Sequence, residues 1–157
     1  MSPFDHPNAK HLHAKARCLG AARMPGILYQ VTWYPGATDR SNHHANASES
    51  WVYGELWQLD TELLLTEIDR YEECSPNDPS PHEYQRVLRS VEFICQSEWQ
   101  TAWVYLYQRD PLGLKCIEDG RFGLEHFKPW RSRSPLIKSF QEVISWIIAI
   151  PDRIYWP

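Results

Sequence analysis

The run Ala102-Trp103-Val104-Tyr105-Leu106-Tyr107 constrains this chain more than any other segment. Its aromatic and β-branched residues suit a pleated, half-buried strand. Just before it, Glu83 to Cys95 alternates in part through Tyr84, Arg86, Leu88, Val91 and Phe93, and also reads as a strand. The few residues between the two runs predict an antiparallel hairpin.

Other segments extend the same picture. Ala22 to Val31 reads as extended chain with a bend at Pro25-Gly26, and Trp33-Tyr34-Pro35-Gly36 as a turn. Asp39 to Ser50, rich in His, Asn and Ser, reads as a surface loop, and Trp51 to Leu59 as a strand. Asp60 and Thr61 are placed to cap a helix whose stripe is Leu63, Leu64, Leu65, Ile68 and Tyr71. Cys74 to His82 carries three prolines and reads as a loop, and a brief strand is expected near Leu114 to Ile117. Two further helices are expected: a short one over Pro7 to Arg17, and one over Leu136 to Ile150 that stops before Pro151. Lys128 to Pro135 reads as a linker, so the chain divides into a domain over 1–120 and a linker with a C-terminal helical tail over 121–157. The fold class is α+β: a small, mixed, mostly antiparallel β-barrel with flanking helices and a C-terminal helical tail.

Composition excludes several classes. With 157 residues, 43 % hydrophobic and 23 % charged, the chain is of ordinary globular make-up and long enough for a real core. A net charge of −4 and a pI near 6.0 disfavour a module held to nucleic acid by phosphate contacts. Cys18, Cys74, Cys95 and Cys116 have no paired spacing, so a zinc ribbon is unsupported and free thiols are expected. The longest apolar run, Val143 to Ile150, is far below the roughly 20 residues that span a bilayer. The start has no basic-then-apolar layout, so a cytoplasmic location is expected and the sequon Asn46-Ala47-Ser48 carries no weight. No glycine-rich phosphate loop occurs. His11, His13, His43 and His44 lack a third ligand at convincing spacing, so they read as surface histidines.

One block carries chemistry. Ile68-Asp69-Arg70-Tyr71-Glu72-Glu73-Cys74 sits where the central helix should end, and Glu83-Tyr84-Gln85-Arg86 follows across the proline loop. His6-Pro7-Asn8-Ala9, Gly26-x-Leu28-Tyr29 leading to Trp33-Tyr34-Pro35-Gly36, Val52-x-Gly54-Glu55-Leu56 and Ala102-Trp103-Val104-Tyr105 keep a consistent order around it. Over roughly residues 1–120 this set resembles the γ-glutamylcyclotransferase-like family, of the bacterial γ-glutamylamine cyclotransferase type. The resemblance implies cyclisation of a γ-glutamyl amine or γ-glutamyl amino acid to 5-oxoproline with release of the amine, a transferase or lyase type of reaction. It implies Glu72 as general acid/base, and Tyr34, Tyr84 and Tyr105 as substrate-binding residues. It implies no metal or organic cofactor and a small-molecule partner, with no nucleic acid or membrane. Taken without it, Glu72 reads as a solvated helix-end carboxylate, Tyr84 and Tyr105 as core aromatics, Arg86 as a structural ion-pair partner, and Glu55 as a hydrogen-bonding strand residue.

The chain departs from the family at three points. Relatives begin with a strand ending in Tyr-Gly-(Thr/Ser)-Leu, whose backbone binds the γ-glutamyl group, and no such segment occurs here. Either the reading frame starts at an internal methionine, or the shortened chain is real and the pocket is short of that turn; in both cases the 157-residue chain itself is expected to be inactive or poorly folded. Enzyme activity is therefore expected on condition that the native protein has the strand, which translating the upstream DNA would reveal. Glu73 stands where relatives often carry Gly. The tail after Gly120 has no counterpart, and could cover the domain, cap an edge strand or mediate self-association. The rival reading is a catalytically silent or truncated member acting as a small-ligand-binding or protein-interaction domain.

Overall fold

The computed structural model describes residues 16–32, 34–39 and 50–122, and the backbone of 147–150. The predicted hairpin is its backbone. β5 (Tyr84–Phe93) and β6 (Glu98–Tyr107) pair antiparallel from Tyr84↔Tyr107 to Phe93↔Glu98 across the turn 94–97. The second long ladder joins β1 (Ala16–Pro25) to β4 (Trp51–Leu59), with a register shift between Cys18 and Gly20. β2 (Ile27–Gln30), β3 (Pro35–Thr38) and β7 (Lys115–Cys116) make a separate three-stranded sheet in the order β3-β2-β7.

The fold is mostly antiparallel sheet with one helix among the described residues, α1 (Leu63–Tyr71). The larger sheet runs β1-β4-β8-β6-β5, and β1 also meets β5. That last seam holds only Ala22↔Phe93 and Arg23↔Glu92, and β6 meets β8 at Trp103↔Ala149. The expected barrel is therefore an order of strands joined at short seams, and the two long ladders carry the sheet.

Several expectations need correction. Ile147–Ile150, expected as the end of a helix, forms β8, parallel to β4 from Glu55↔Ile147 to Gln58↔Ile150. An apolar run without periodicity suits either state, and pairing with β4 and β6 decides for strand. Ala16 and Arg17, expected to end the first helix, open β1, paired with Leu59 and Gln58. The rest of both expected helices, the linker, Trp33, and 40–49 of the polar loop lie outside the described residues. Pro35 and Gly36 belong to β3 and not to a free turn. The cap of α1 is Glu62, with no side-chain cap bond; Thr61 offers only its carbonyl, to the Leu64 N–H at 3.2 Å.

Two cores lie on opposite faces of β6. Ala102, Val104 and Leu106 join Met24, Leu28, Val52, Leu56, Val91 and Ile117 in one cluster. The alternate residues Tyr105 and Tyr107 join Leu59, Leu64, Leu65, Ile68 and Tyr84 in the other, with Trp103 packed against it. This is strand period two, with an aromatic face reserved for α1. Of the helical stripe, Leu64, Leu65 and Ile68 are buried; Leu63 (74 % exposed) and Tyr71 (39 %) face outward. Each fully buried side chain contributes about 1.5–3 kcal/mol of transfer free energy to this docking. Close approach demands glycine at Gly36 and Gly120, among other positions. A Cβ at Gly36 would lie 2.9 Å from the Tyr107 ring, and one at Gly120 (φ +64°) would overlap the Trp51 carbonyl oxygen. The four cysteines are free, and no helix among the described residues is long and apolar enough to cross a membrane.

Candidate active site at the end of the helix

The end of α1 places Glu72. Glu72 is the C-terminal cap residue (φ −81°, ψ 4°), its N–H bonded to the Ile68 carbonyl at 2.8 Å. Glu73 next takes a left-handed conformation, φ +52°. The chain then folds back: the Glu73 N–H reaches the Arg70 carbonyl (3.3 Å) and the Cys74 N–H the Asp69 carbonyl (2.9 Å). These are the two bonds of a Schellman motif, which satisfies carbonyls a helix otherwise leaves open. Here Glu occupies the left-handed position that glycine fills at least cost.

Glu72 keeps partial solvent access, yet protein atoms crowd its carboxyl. Burial alone raises it from 4.5 to about 7. No hydrogen bond or ion pair to this carboxylate occurs among the described residues, so nothing offsets its desolvation. Its charge is felt nearby. Burial first, and the Glu72 charge next, push the Tyr84 phenol well up. Burial, then Asp69 and Glu72, push the Cys74 thiol up to about 12.

The tyrosines fall into two sets. Tyr84 is buried, donates to the Pro35 carbonyl at 2.8 Å, and packs edge-on to Tyr107 at 5.7 Å and tilted to Tyr34 at 6.4 Å. Tyr34 donates to Glu83 Oε1 at 2.7 Å; burial, then that bond, push its phenol up to about 12. Tyr34, Tyr84 and Glu72 thus belong to one neighbourhood. Tyr105 packs in the same cluster as Tyr84 and directs its hydroxyl to α1. It donates to Asp69 Oδ1 at 2.8 Å, and burial and this bond raise its phenol.

Asp69 is the residue that sequence reasoning passed over, although it stands inside the block that singled out Glu72. It is 9 % exposed, and Arg86 Nη1 lies 3.2 Å from its Oδ2. The Arg86 guanidinium also covers the Trp103 ring at 4.8 Å, so its carboxylate partner is protein. Glu55 accepts from Trp57 Nε1 at 3.2 Å, as a strand hydrogen-bonding group. Among the described residues no group of three or more His, Cys, Asp or Glu could hold a metal ion; His11, His13, His43 and His44 lie outside them. The arrangement offers one partly accessible carboxylate that changes charge near neutrality, close enough to the buried Tyr84 phenol for its charge to be felt there. That is the make-up of a proton-transfer site.

A family model described as γ-glutamyl cyclotransferase, AIG2-like, matches residues 4–124. The γ-glutamylcyclotransferase family protein YtfP of Escherichia coli K12 is 31 % identical over 111 residues, covering 70 % of this chain and 80 % of the relative. The YtfP protein of Shigella flexneri matches to the same extent. The solution NMR structure of YtfP from Escherichia coli, 31 % identical, superimposes with a TM-score of 0.49 over 70 % of this chain and 80 % of that one.

Proposed function

The chain belongs to the γ-glutamyl cyclotransferase, AIG2-like family, and from that premise we propose that it cyclises a γ-glutamyl amine or γ-glutamyl amino acid to 5-oxoproline, with Glu72 as general acid/base. The observation that carries the reading is the Glu72 carboxyl, raised by burial to about 7 with no partner of its own among the described residues.

The reaction joins the substrate's α-nitrogen to its own γ-carbonyl carbon. A free α-amino group has a pKa of about 8 and is mostly protonated at neutral pH, so it cannot attack until it loses a proton. Ionised Glu72, with a pKa about one unit lower, accepts that proton at little cost. Attack forms the C–N bond of the five-membered ring and a tetrahedral oxyanion. Protonated Glu72 then returns its proton to the leaving nitrogen as the amide bond breaks; the ring nitrogen, which attacked with two hydrogens, sheds one through the freed carboxylate to the departing amine, which leaves as the ammonium. The products are 5-oxoproline and the free amine, and the carboxylate ends as it began. A carboxyl at its ordinary 4.5 would be a poorer base and a much scarcer acid at neutral pH. Tyr34 and Tyr84, with ring centroids 6.4 Å apart, are the residues assigned to binding the glutamyl chain in this reading.

The test is direct. The full-length protein, with any in-frame residues found upstream of Met1 included, is incubated with a panel of γ-glutamyl amines and γ-glutamyl amino acids, and 5-oxoproline and free amine are measured. At least one substrate should give both in equal amounts. Glu72→Gln, which cannot carry the proton, should lower turnover by about 10²–10⁴. Undiminished release by that variant would overturn the assignment of Glu72.

A further inference from the structure

Resting on the cyclisation reading above, we propose that Asp69 is a positioning residue that clamps the last turn of α1 to both strands of the β5–β6 hairpin and so fixes where Glu72 presents its carboxylate. A base that must stay free to take a proton cannot also be oriented by hydrogen bonds to its oxygens, and none reach Glu72 among the described residues. Its position is therefore set by the backbone that carries it. That backbone turns three residues after Asp69.

Asp69 holds the turn from every side. Its main-chain carbonyl accepts the Cys74 N–H at 2.9 Å, the longer-range bond of the Schellman motif. Its side chain accepts from Tyr105 of β6 at 2.8 Å and meets Arg86 of β5 at 3.2 Å, with the Cys74 thiol at 3.9 Å. Arg86 and Tyr105 are themselves cross-strand partners in the ladder. One buried carboxylate thus joins the helix, both strands and the returning chain. Apolar packing could dock the helix as firmly, because buried charge pairs often stabilise no more than hydrophobic residues of similar volume. What directional bonds add is a single geometry, and misplacing a reacting group by about 1 Å can cost about 10²-fold in rate.

The proposal makes two independent readouts. Tyr105→Phe removes one hydroxyl and leaves the Asp69–Arg86 pair; Asp69→Asn keeps an oxygen that can accept from Tyr105 but drops the charge facing Arg86. In the full chain, amide hydrogen exchange at Glu72 and Cys74 should quicken about tenfold in each variant while the central β5–β6 amides hold. In the 5-oxoproline assay each should lose about tenfold in kcat with KM within about twofold, and the double variant should be no slower than the slower single. The acid limb of the rate profile should stay where it is in the parent protein. Tyr105→Phe, the milder change, decides the matter where Asp69→Asn does not fold. Unchanged exchange at Glu72 and Cys74 overturns the clamp, even if the parent protein releases no 5-oxoproline and the cyclisation reading itself has failed. Unchanged kcat, multiplying losses, or a displaced acid limb in an active protein overturn the positioning role.

Discussion

Glu72 has a stability signature as well as a catalytic one. Its folded value of about 7 lies above the 4.5 of the exposed group, so the folded state holds a proton that the unfolded chain releases earlier. Below 4.5 both states are protonated and nothing is lost. As pH rises through 7 the fold comes to bury a charge, and the cost grows to at most about 3 kcal/mol, reduced by the partial solvent access of the carboxyl. Glu72→Gln, neutral throughout, should therefore melt higher than the parent at pH 8 and together with it at pH 4. Equal melting temperatures at both pH values would mean that the carboxyl is solvated after all. Partial desolvation of Glu72, raising its carboxyl, is expected from its place at the end of an apolar helix; the groups that bring it about are not legible in the sequence. Glu72 stood out through the block around it, but its surroundings depend on Tyr84, which reaches the helix end only across the proline loop. Asp69 was harder still, because its partners Arg86 and Tyr105 come from strands, and no periodicity marks an ion pair across such separations.

At the scale of elements, the helix and the hairpin were read well because each follows its own period. Leu64, Leu65 and Ile68 fall on the inner face, and β6 alternates between two cores. Leu63 and Tyr71 were included in the stripe by spacing, but they lie beyond the edge of the contact with β6. The ends were less legible: Glu62 caps where Asp60 and Thr61 were expected, and β8 takes its state from neighbours far away in sequence. The end of α1 also carries a mismatch. Glu73 sits at φ +52°, where a side chain costs about 1–2 kcal/mol that glycine avoids, less the roughly 0.5–1 kcal/mol glycine loses in chain entropy. Glu73→Gly should then raise stability by about 0.5–1 kcal/mol in a denaturant melt. A loss of stability would show that Glu73 does not occupy the left-handed cap.

For the molecule as a whole, the two long ladders and the helix docked on one of their faces bring four chain segments to one place. The Tyr34–Pro35 connection, the end of α1, the start of β5 and the end of β6 meet around Glu72, Tyr84 and Asp69. Family membership explains why these segments keep their order in sequence, and the physical chemistry of Glu72 explains what they can do together. The most direct test is the pH dependence of kcat/KM for 5-oxoproline release from a γ-glutamyl substrate, measured for the parent protein and Glu72→Gln side by side. The parent should show a rate that rises through an acid limb near 7, and the variant should show neither the limb nor the turnover. A limb near 4.5, or a variant that keeps the parent's rate and profile, would contradict the assignment of Glu72 as the group that moves the proton.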